Sequence, residues 1–524
     1  MMNIMKNNYK NIIAAALLVC TLGACKKSLE LKPISNPSDD TFWKTNDQYD
    51  TFVAGIHSKF RGHSKNFMFL GELRADIYGN DPGTTASFTG EASQGLERMW
   101  LQTLTLDAAG VNTFGTFYSN INQLNLLIYK LNTGNVVTEA TKKYELGMAY
   151  GMRAFYYYQL YRSWGNTVII TDFIDAANLD LFNLAKAAAP AADVMKLIKA
   201  DIDLSIQNFG TNYSIQHNKG YWSKSATLML KADVYLWTAH RTGGSTDATS
   251  AKEALTDIQT NVPDLALATT SNNSALSPFA DLFSSKPNKE NILASKYALN
   301  EAEMTFIPES FTPQTGLIAN YYDSLANRKF NVTTDNYSGQ LRAPIKIANY
   351  RKFNDKDTRK LATIQAAYNR SLTGTYTIAG TFLKKFQGQQ DAATRKYTND
   401  YPIYRYADLL LLLAEAKEIL GESPAAEINA VRARAYGVNY DPAVQGFPNM
   451  PGDGNIKQAI LQERFFEFIG EGKRWYDLRR MGDSFVYANT TLTAADAYKL
   501  FWPIDRVSLT NNKSLVQTTG YSQF

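Results

Sequence analysis

The feature that most constrains the fold is helical periodicity, because apolar residues recur at spacings of three and four along much of the chain. Residues 138–163 show this pattern on two faces of one predicted helix. The two apolar stripes consist of Tyr144, Met148, Phe155 and Tyr158, and of Tyr150, Tyr157 and Tyr161. A helix with two apolar stripes packs against neighbours on two sides. This segment is therefore predicted to lie inside a layered helical assembly.

Other predicted helices come in pairs joined by short connections. They lie at about 113–131, 138–163, 191–209, 223–240, 250–260, 403–420, 424–436, 455–469 and 472–481. Ahead of them, Ser38 or Asp39 is expected to cap a helix that carries apolar residues as far as Phe60. Helical pairs of this length are typical of tetratricopeptide-like solenoids, although no repeat here keeps the full sequence signature. The expected fold class is mainly α, with a tetratricopeptide-like helical-pair scaffold.

Two stretches interrupt the helical pattern. Residues 61–110 are rich in Gly, Thr and Asn and are expected to be mostly loop, and residues of about 265–400 are expected to form short strands and long loops. We therefore expect a single domain over 41–524, with a helical scaffold at about 41–260 and 401–524 and a loop-rich, short-strand insert at about 265–400. Loops on a rigid scaffold commonly carry binding residues.

The chain begins with the layout of an export signal. Lys6 and Lys10 precede an apolar run at 12–19, and small residues follow. This order is typical of a signal peptide, here residues 1–24. The run is too short to span a bilayer in the mature protein.

The end of the signal resembles the lipobox of bacterial lipoproteins. Leu22-Gly23-Ala24 stands directly before Cys25, which would become the acylated first residue. More than one acyl chain is needed for stable anchoring in a membrane. We expect a lipid on Cys25 and an extended, lipidated tether over 25–40. The alternative is an ordinary signal peptide with a chance cysteine.

Composition excludes several classes of function. One of the 2 cysteines, Cys20, leaves with the signal, and Cys25 carries lipid, so no thiol remains for catalysis or metal binding. The 4 histidines show no close ligand spacing, and they are His57, His63, His217 and His240. No metal and no cofactor are expected. A net charge of +5 over 524 residues argues against nucleic-acid binding.

The most specific motifs lie in the last quarter of the chain. They read Tyr401-Pro402-Ile403-Tyr404-Arg405-Tyr406-Ala407-Asp408, Ala414-Glu415-Ala416, Glu463-Arg464-Phe465-Phe466-Glu467-Phe468, Gly472-Lys473-Arg474-Trp475-Tyr476-Asp477 and Trp502-Pro503-Ile504. Upstream pieces agree with them, namely Arg153-Ala154-Phe155-Tyr156-Tyr157 and Gly165-Asn166. Together they resemble the SusD/RagB family of outer-membrane nutrient-binding lipoproteins over nearly the whole mature chain.

This resemblance implies a fold, a location and a partner. The family combines a tetratricopeptide-like frame with an irregular ligand-binding portion, is anchored by lipid in the outer membrane and faces the cell surface. Its members work with a SusC-like TonB-dependent receptor and help deliver glycans or, in some members, peptides, without catalysis. Surface-directed members often carry acidic residues after the cysteine, whereas Lys26 and Lys27 follow here, so the face of the membrane stays open.

Charged motif residues lie within strongly apolar helices. They are Arg405, Asp408, Glu415, Arg432, Glu463, Arg464, Glu467, Arg474 and Asp477. Isolated buried charges are costly, so these side chains are expected to pair and to clamp the C-terminal helices together. Glu463 and Glu467 are one helical turn apart, and the alternative is a glycoside hydrolase that uses them as its two acids.

Two loop segments offer aromatic rings beside polar side chains, the combination that suits the faces and edges of sugar rings. The first, 76–102, offers Tyr78, Asn80, Asp81 and Trp100 as ligand contacts, and the second, 318–350, offers Tyr321, Tyr322 and Tyr350. The alternatives are that Asp81 only starts a turn, that Trp100 is core and that the tyrosines only pack the insert. Trp222 and Trp237 are expected in the core.

Overall fold

The computed structural model describes residues 42–79, 94–110, 113–173, 185–273, 275–286, 288–392 and 394–524. The α-helices of these ranges are α1 Asn46–Gly62, α2 Ser64–Glu72, α3 Glu97–Trp100, α4 Tyr118–Thr133, α5 Glu139–Trp164, α6 Ala191–Phe209, α7 Lys224–Thr238, α8 Gly244–Asn261, α9 Pro278–Leu282, α10 Phe306–Ser310, α11 Thr315–Ile318, α12 Ile347–Lys352, α13 Arg359–Thr363, α14 Tyr406–Ile419, α15 Ala425–Tyr436, α16 Ile456–Phe468, α17 Arg474–Met481, α18 Asp483–Asn489 and α19 Arg506–Asn511. Short 3-10 turns lie at His217–Lys219, Gly437–Asn439 and Ala494–Leu500, and a π-turn lies at Ala239–Gly243.

The mainly α fold class is confirmed, with successive helices packed against one another. Helix α5 packs along α4 and α6, and α7 packs along α8. Helix α14 contacts α8, α15 and α16, so it joins the helices before the insert to those after it. Within the described ranges, no helix is both long enough and apolar enough to cross a membrane.

The strands are short and lie mostly between residues 291 and 405. They are β1 Asn291–Ser295, β2 Tyr322–Asp323, β3 Arg328–Lys329, β4 Ile364–Arg370, β5 Tyr376–Leu383, β6 Gln389–Asp391, β7 Thr394–Lys396 and β8 Tyr401–Arg405. Four of them form an antiparallel sheet in the order β3-β2-β4-β5, while β1 pairs with β8 and β6 pairs with β7. The β1–β8 pair ties the start of the insert to the strand that leads into α14.

The core consists of one large apolar cluster and one small one. Trp222 and Trp237, expected in the core, are 0% and 2% exposed. The small cluster lies under the four-stranded sheet and comprises Ile318, Phe330, Tyr337, Leu341, Ala367 and Phe382. The insert therefore has an apolar support of its own.

Two expectations about the elements are wrong, and a third missed a helix. The first helix is capped by Thr45, not by Ser38 or Asp39, because the Thr45 hydroxyl accepts from Gln48 N–H while Gln48 Oε1 accepts from Thr45 N–H. Residues 61–110, expected to be mostly loop, contain the nine-residue helix α2, in which every residue except Lys65 and Asn66 is buried. The helix expected from 403 begins at Tyr406, because 401–405 is strand β8.

Candidate functional site

The two loop segments expected to contact ligand lie side by side. Gly79 N–H donates to the carbonyl of Pro344 at 3.0 Å, and Lys346 N–H donates to the carbonyl of Ile77 at 3.0 Å. The Asn349 amide adds a bond of 2.9 Å to that same carbonyl. Segment 76–79 therefore lies along 344–346 like an additional edge strand. Residue Ile345 in turn forms a bridge to Thr381 on β5 of the four-stranded sheet.

The residues of the first segment differ in how they contribute. Tyr78 has no exposed surface and its hydroxyl donates to Glu72 Oε1 at 2.7 Å, which corrects the expectation that its ring meets ligand. Trp100 is 9% exposed, so only its edge reaches the surface. It packs against Gly79, where a Cβ would lie 3.5 Å from the Trp100 ring and 3.0 Å from Lys346 Cε. Asn80 and Asp81 lie outside the described residues.

The second segment contributes to an aromatic surface on the four-stranded sheet. Tyr322 on β2 lies opposite Tyr368 on β4, and Tyr376 on β5 lies opposite Arg370. Because side chains two apart on a strand share a face, all four are on one side of the sheet. The Tyr376 ring lies 6.0 Å from those of Tyr322 and Tyr368, centroid to centroid. These four residues together with Tyr350 form what we call the tyrosine face.

Tyr350 joins the sheet to the first loop segment. It lies on α12, its hydroxyl is hydrogen-bonded to that of Tyr368, and it is 9% exposed. Burial and this hydrogen bond raise the pKa of Tyr350. Tyr321, which directly precedes β2, packs against the small core and is partly exposed. Its contact with ligand stays a prediction.

Cations and polar groups border the rings. The Arg370 guanidinium lies 5.8 Å from the centre of the Tyr322 ring and 5.5 Å from that of Tyr376. The Lys329 ammonium lies 5.7 Å from the Tyr322 ring, and the Tyr376 hydroxyl donates to Asn327 Oδ1 at 2.7 Å. Partly exposed rings beside hydrogen-bonding groups can bind a ligand that has both apolar faces and hydroxyl edges.

Sequence reasoning missed Tyr368, Arg370 and Tyr376. The available signal was the alternation of Tyr368 and Arg370 in a β-branched and aromatic context, followed by the Thr373-Gly374 turn. That alternation predicts that Tyr368 and Arg370 lie on the same face of a strand. It does not predict which neighbouring strands place Tyr322 and Tyr376 beside them.

The charged motif residues are paired inside the protein. Arg405 has no exposed side-chain surface, and its guanidinium binds Glu290 and Glu467 at 2.6 Å each and Glu471 at 2.8 Å. Because a buried guanidinium needs several acceptors, the three carboxylates satisfy it from three directions. They come from the start of β1, from α16 and from the α16–α17 connection, so Arg405 holds these elements together.

Glu463 and Glu467 each lie between arginines. Glu463 binds Arg359 at 2.6 Å and Arg432 at 2.9 Å, and Glu467 binds Arg359 at 3.0 Å as well as Arg434. Burial alone would raise the pKa of Glu467, but the neighbouring arginines outweigh burial and hold it below its usual value. Both carboxylates are therefore bound to arginines and shielded from solvent.

A second buried cluster involves α14, α16 and α17. Asp408 binds Arg464 and Lys473 at 2.8 Å each, and Asp477 binds Arg464 at 2.9 Å and Arg480 at 3.0 Å. Burial opposes ionisation of Asp408, but the charges of Lys473 and Arg464 prevail and lower its pKa to about 2. These pairs connect three helices through their buried faces.

The remaining motif charges reach outward from this cluster. Glu415 binds Arg480 at 2.8 Å and His240 at 3.1 Å. Arg474 instead binds Asp76 at 2.9 Å, directly behind the loop edge that adjoins the tyrosine face. Within the described residues, no group of His, Cys, Asp or Glu is arranged to hold a metal ion.

Comparison with known proteins gives consistent relatives. A sequence profile of the SusD family matches residues 328–521. The solved structure of B. fragilis NanU is 40% identical, covers 94% of this chain and all of its own, and superimposes with a TM-score of 0.85. A SusD superfamily protein from Bacteroides vulgatus is 38% identical, with 92% of this chain and 100% of that protein covered and a TM-score of 0.83.

A further relative agrees over the full length. The SusD-like protein P38 of Formosa agariphila is 26% identical, and the match covers 98% of this chain and 99% of the relative. Sequence identity of 38–40% to solved proteins, together with matching of almost the entire chain, exceeds what a shared fold alone would produce. The chain therefore belongs to the SusD family.

Proposed function

We propose that this protein is a non-catalytic, lipid-anchored glycan-binding protein that captures an oligosaccharide or polysaccharide and delivers it to a SusC-like TonB-dependent transporter. The observation that carries the binding part is the tyrosine face, where Tyr322, Tyr368 and Tyr376 lie beside Arg370. The rest of the proposal rests on the family and on the amino-terminal sequence.

The geometry of the tyrosine face suits a sugar chain. Each ring presents a flat apolar surface to the C–H face of a sugar ring, while the hydroxyls and Arg370 can bind sugar hydroxyl groups. The Tyr376 hydroxyl is bound to Asn327 and Tyr350 is largely buried, which limits the freedom of both side chains before ligand arrives. Side chains that are already ordered lose less conformational entropy on binding.

One protein of the same fold is a glycan binder. A laminarin-binding SusD-like protein aligns with a TM-score of 0.66 at 20% identity. At that identity the likeness concerns the fold alone, so the ligand class of this chain rests on the aromatic surface and not on a shared sequence.

The anchor and the location complete the proposal. Cys25 and the tether over 25–40 lie outside the described residues, and lipidation there would hold the protein on the outer membrane, facing the cell surface. A Cys25→Ser variant should leave the membrane fraction if the anchor is correct. Protease added to intact cells should cut the wild-type protein if it faces outward, and spare it if it faces the periplasm.

Two alternatives remain distinct from this proposal. A peptide ligand would use the same surface, since tyrosines and Arg370 also suit extended peptides. A glycoside hydrolase using Glu463 and Glu467 is disfavoured, because these side chains are 1% and 0% exposed and are bound to arginines. Reducing ends released from a bound glycan, and abolished in a folded Glu467→Gln variant, would reverse that assessment.

A glycan and peptide array followed by calorimetry tests the binding part. Tyr376→Ala should weaken the best ligand by about fivefold or more, the usual effect of truncating an important aromatic contact. Tyr376→Phe should retain most of the affinity if ring stacking dominates. Tyr129→Ala, which truncates a tyrosine that is 50% exposed on α4, serves as the control. Equal affinities for all three variants would refute the site.

Purification from membranes tests the partner. The protein extracted in mild detergent should bring a large β-barrel protein with it. Repeated recovery of the lipoprotein alone, under conditions that preserve other membrane complexes, would contradict delivery to a transporter and leave the binding part unaffected.

A further inference from the structure

A second cleft lies away from the tyrosine face and shares no residue with it. It has a volume of about 500 Å³ and runs between α1, the 217–221 turn and the end of β1. Its lining includes His57, Arg61, His217, Tyr221, Lys296 and Glu301. We call it the α1 cleft. This volume is enough for a molecule of about the size of a monosaccharide or disaccharide.

Three stacked rings form one wall of the α1 cleft. The Tyr221 ring lies between His57, at 3.9 Å and 4° between planes, and His217, at 3.8 Å and 26°. His57 accepts from Trp222 N–H through Nε2 at 3.0 Å, so its Nδ1–H donates to the Val53 carbonyl at 2.9 Å. Burial lowers the pKa of His57 to about 4, which keeps that ring neutral. The outermost ring, His217, is exposed.

Cations gather at the other wall. Nη1 of Arg61 binds Glu301 Oε1 at 2.5 Å and the Lys296 carbonyl at 3.1 Å, while its Nε and Nη2 have no hydrogen-bond partner among the described residues. The Lys296 ammonium pairs with Asp400. Lys219 lies close enough that burial and the Lys296 charge lower its pKa to about 8. An anion placed among these groups would relieve their mutual repulsion.

Of the two carboxylates near these cations, Glu301 is weakly held, whereas Asp400 is nearly buried. Glu301 is 62% exposed on its side chain, so its bond with Arg61 competes with water. Asp400 is shared between Lys296 and Lys286. Arg61 can therefore bind an incoming anion by displacing an exposed carboxylate, without loss of a buried partner.

The backbone beside the cleft adopts an unfavourable conformation. His217, Asn218 and Lys219 have φ of 48°, 51° and 70°, and three consecutive left-handed residues other than glycine are unusual. Lys219 N–H donates to the Gln216 carbonyl at 3.0 Å and closes the turn. Backbone held in such a conformation occurs preferentially at ligand sites. Here the turn brings the His217 ring onto Tyr221, while the Lys219 ammonium donates to the Asn288 carbonyl at 2.8 Å.

We propose that the α1 cleft binds a small organic molecule carrying a carboxylate or sulfate group. Arg61 and Lys296 bind the anionic group, and the exposed face of His217 packs against the body of the molecule. The site goes beyond the proposed glycan capture, because it neither needs the tyrosine face nor contributes to it.

Calorimetry on the mature lipoprotein in detergent tests this proposal. D-Glucuronate and D-glucose 6-sulfate are the probes, and D-glucose is their neutral counterpart. At least one anion should bind about tenfold more tightly than glucose, consistent with a charge-assisted hydrogen bond to Arg61. Comparison of the two anions tells which group the cleft prefers. Equal binding of glucose and both anions, or no binding by any of them, would overturn the proposal.

Two substitutions that should change the affinity for the anion in opposite directions test whether it binds in the α1 cleft. Arg61→Gln should weaken the anion about tenfold, whereas Glu301→Gln should tighten it severalfold because it removes the competing carboxylate. His217→Asn keeps a residue that tolerates positive φ and removes the ring, and should also weaken binding. A common direction for Arg61→Gln and Glu301→Gln would contradict the assignment. If Arg61→Gln fails to fold, the exposed Glu301→Gln variant still tests the site, because its affinity for the anion should rise.

Arg370→Gln is the matched control from the tyrosine face. It should leave anion binding unchanged while weakening the glycan of the proposed function. If Arg370→Gln abolishes anion binding and Arg61→Gln does not, the anion binds at the tyrosine face and the α1 cleft proposal fails, whereas the proposed function stands.

Discussion

Arg474 binds Asp76 through two hydrogen bonds of 2.9 and 3.1 Å, although 398 residues separate the two along the chain. Asp76 begins the loop edge that pairs with 344–346, and its carbonyl accepts from the Asn349 amide at 2.9 Å. A residue of the C-terminal motif thus supports the loop beside the candidate site from within. This ion pair connects the C-terminal family motif to the loop edge that adjoins the tyrosine face.

Arg474→Ala should destabilise the protein by about 3–5 kcal/mol, since it leaves Asp76 buried with only the more distant Lys352 as a counter-charge. Chemical denaturation at neutral pH measures this change. Lys252→Ala is the control, because it breaks a pair with Glu422 whose side chains are 34% and 41% exposed, and it should cost about 1 kcal/mol or less. Similar losses for both variants would show that burial of the pair is not what matters.

Stability should fall in acid partly through Asp408. Its pKa of about 2 in the folded protein lies below the ordinary value of 3.8, so the unfolded chain takes up the proton first as pH falls. The contribution, about 2 kcal/mol, is present above pH 4 and is lost as pH approaches 2. In denaturation curves recorded from pH 7 to pH 3, Asp408→Asn should be most destabilising at pH 7. A difference from wild type that stays constant with pH would contradict this.

Glu145 should have the opposite pH dependence. It is 5% exposed, its Oε2 has no hydrogen-bond partner in the described part of the chain, and burial together with Asp50 raises its pKa from 4.5 to about 7. Because the folded protein holds this proton more tightly, stability is lost as pH rises from about 4.5 through 7.

Glu145→Gln should therefore be nearly neutral at pH 5 and should stabilise the protein at pH 8 by up to about 3 kcal/mol. Thermal and chemical denaturation at both pH values provide the measurement. The exposed Glu253→Gln should change stability little at either pH. Destabilisation by Glu145→Gln at pH 8 would mean that the carboxylate has a favourable partner.

Two glycines in helices should respond in opposite directions to alanine. A Cβ on Gly71 would lie 1.7 Å from the carbonyl oxygen of Gly472, so Gly71→Ala should cost about 3 kcal/mol or prevent folding. Gly55 on α1 has open space at its Cβ position, so Gly55→Ala should stabilise the protein by roughly 0.5–1 kcal/mol. Unfolding temperatures of the two variants check this pair, and equal effects would contradict the close approach at Gly71.

The long helices were predictable because local periodicity decides them. Helix α6 begins and ends where the apolar spacing indicates, and α15 begins within one residue of its expected start. Helix α2 was missed because it is only nine residues long and lies within a stretch whose Gly, Thr and Asn content favours loop. Helix α1 begins after Thr45 because Thr45 and Gln48 form a capping box. From the sequence alone, Ser38 and Asp39 were equally good candidates for this cap.

By itself, the sequence determined that this chain is mainly helical, that its buried charges must pair and that two loop segments carry aromatic rings beside polar side chains. Only the tertiary structure decided which groups meet. Arg474 could have paired with several acids, and strand pairing alone brings Tyr322 opposite Tyr368 and Tyr376 opposite Arg370. The physical reason is that helix formation depends on neighbours a few residues away, whereas ion pairing and strand register depend on contacts between distant segments.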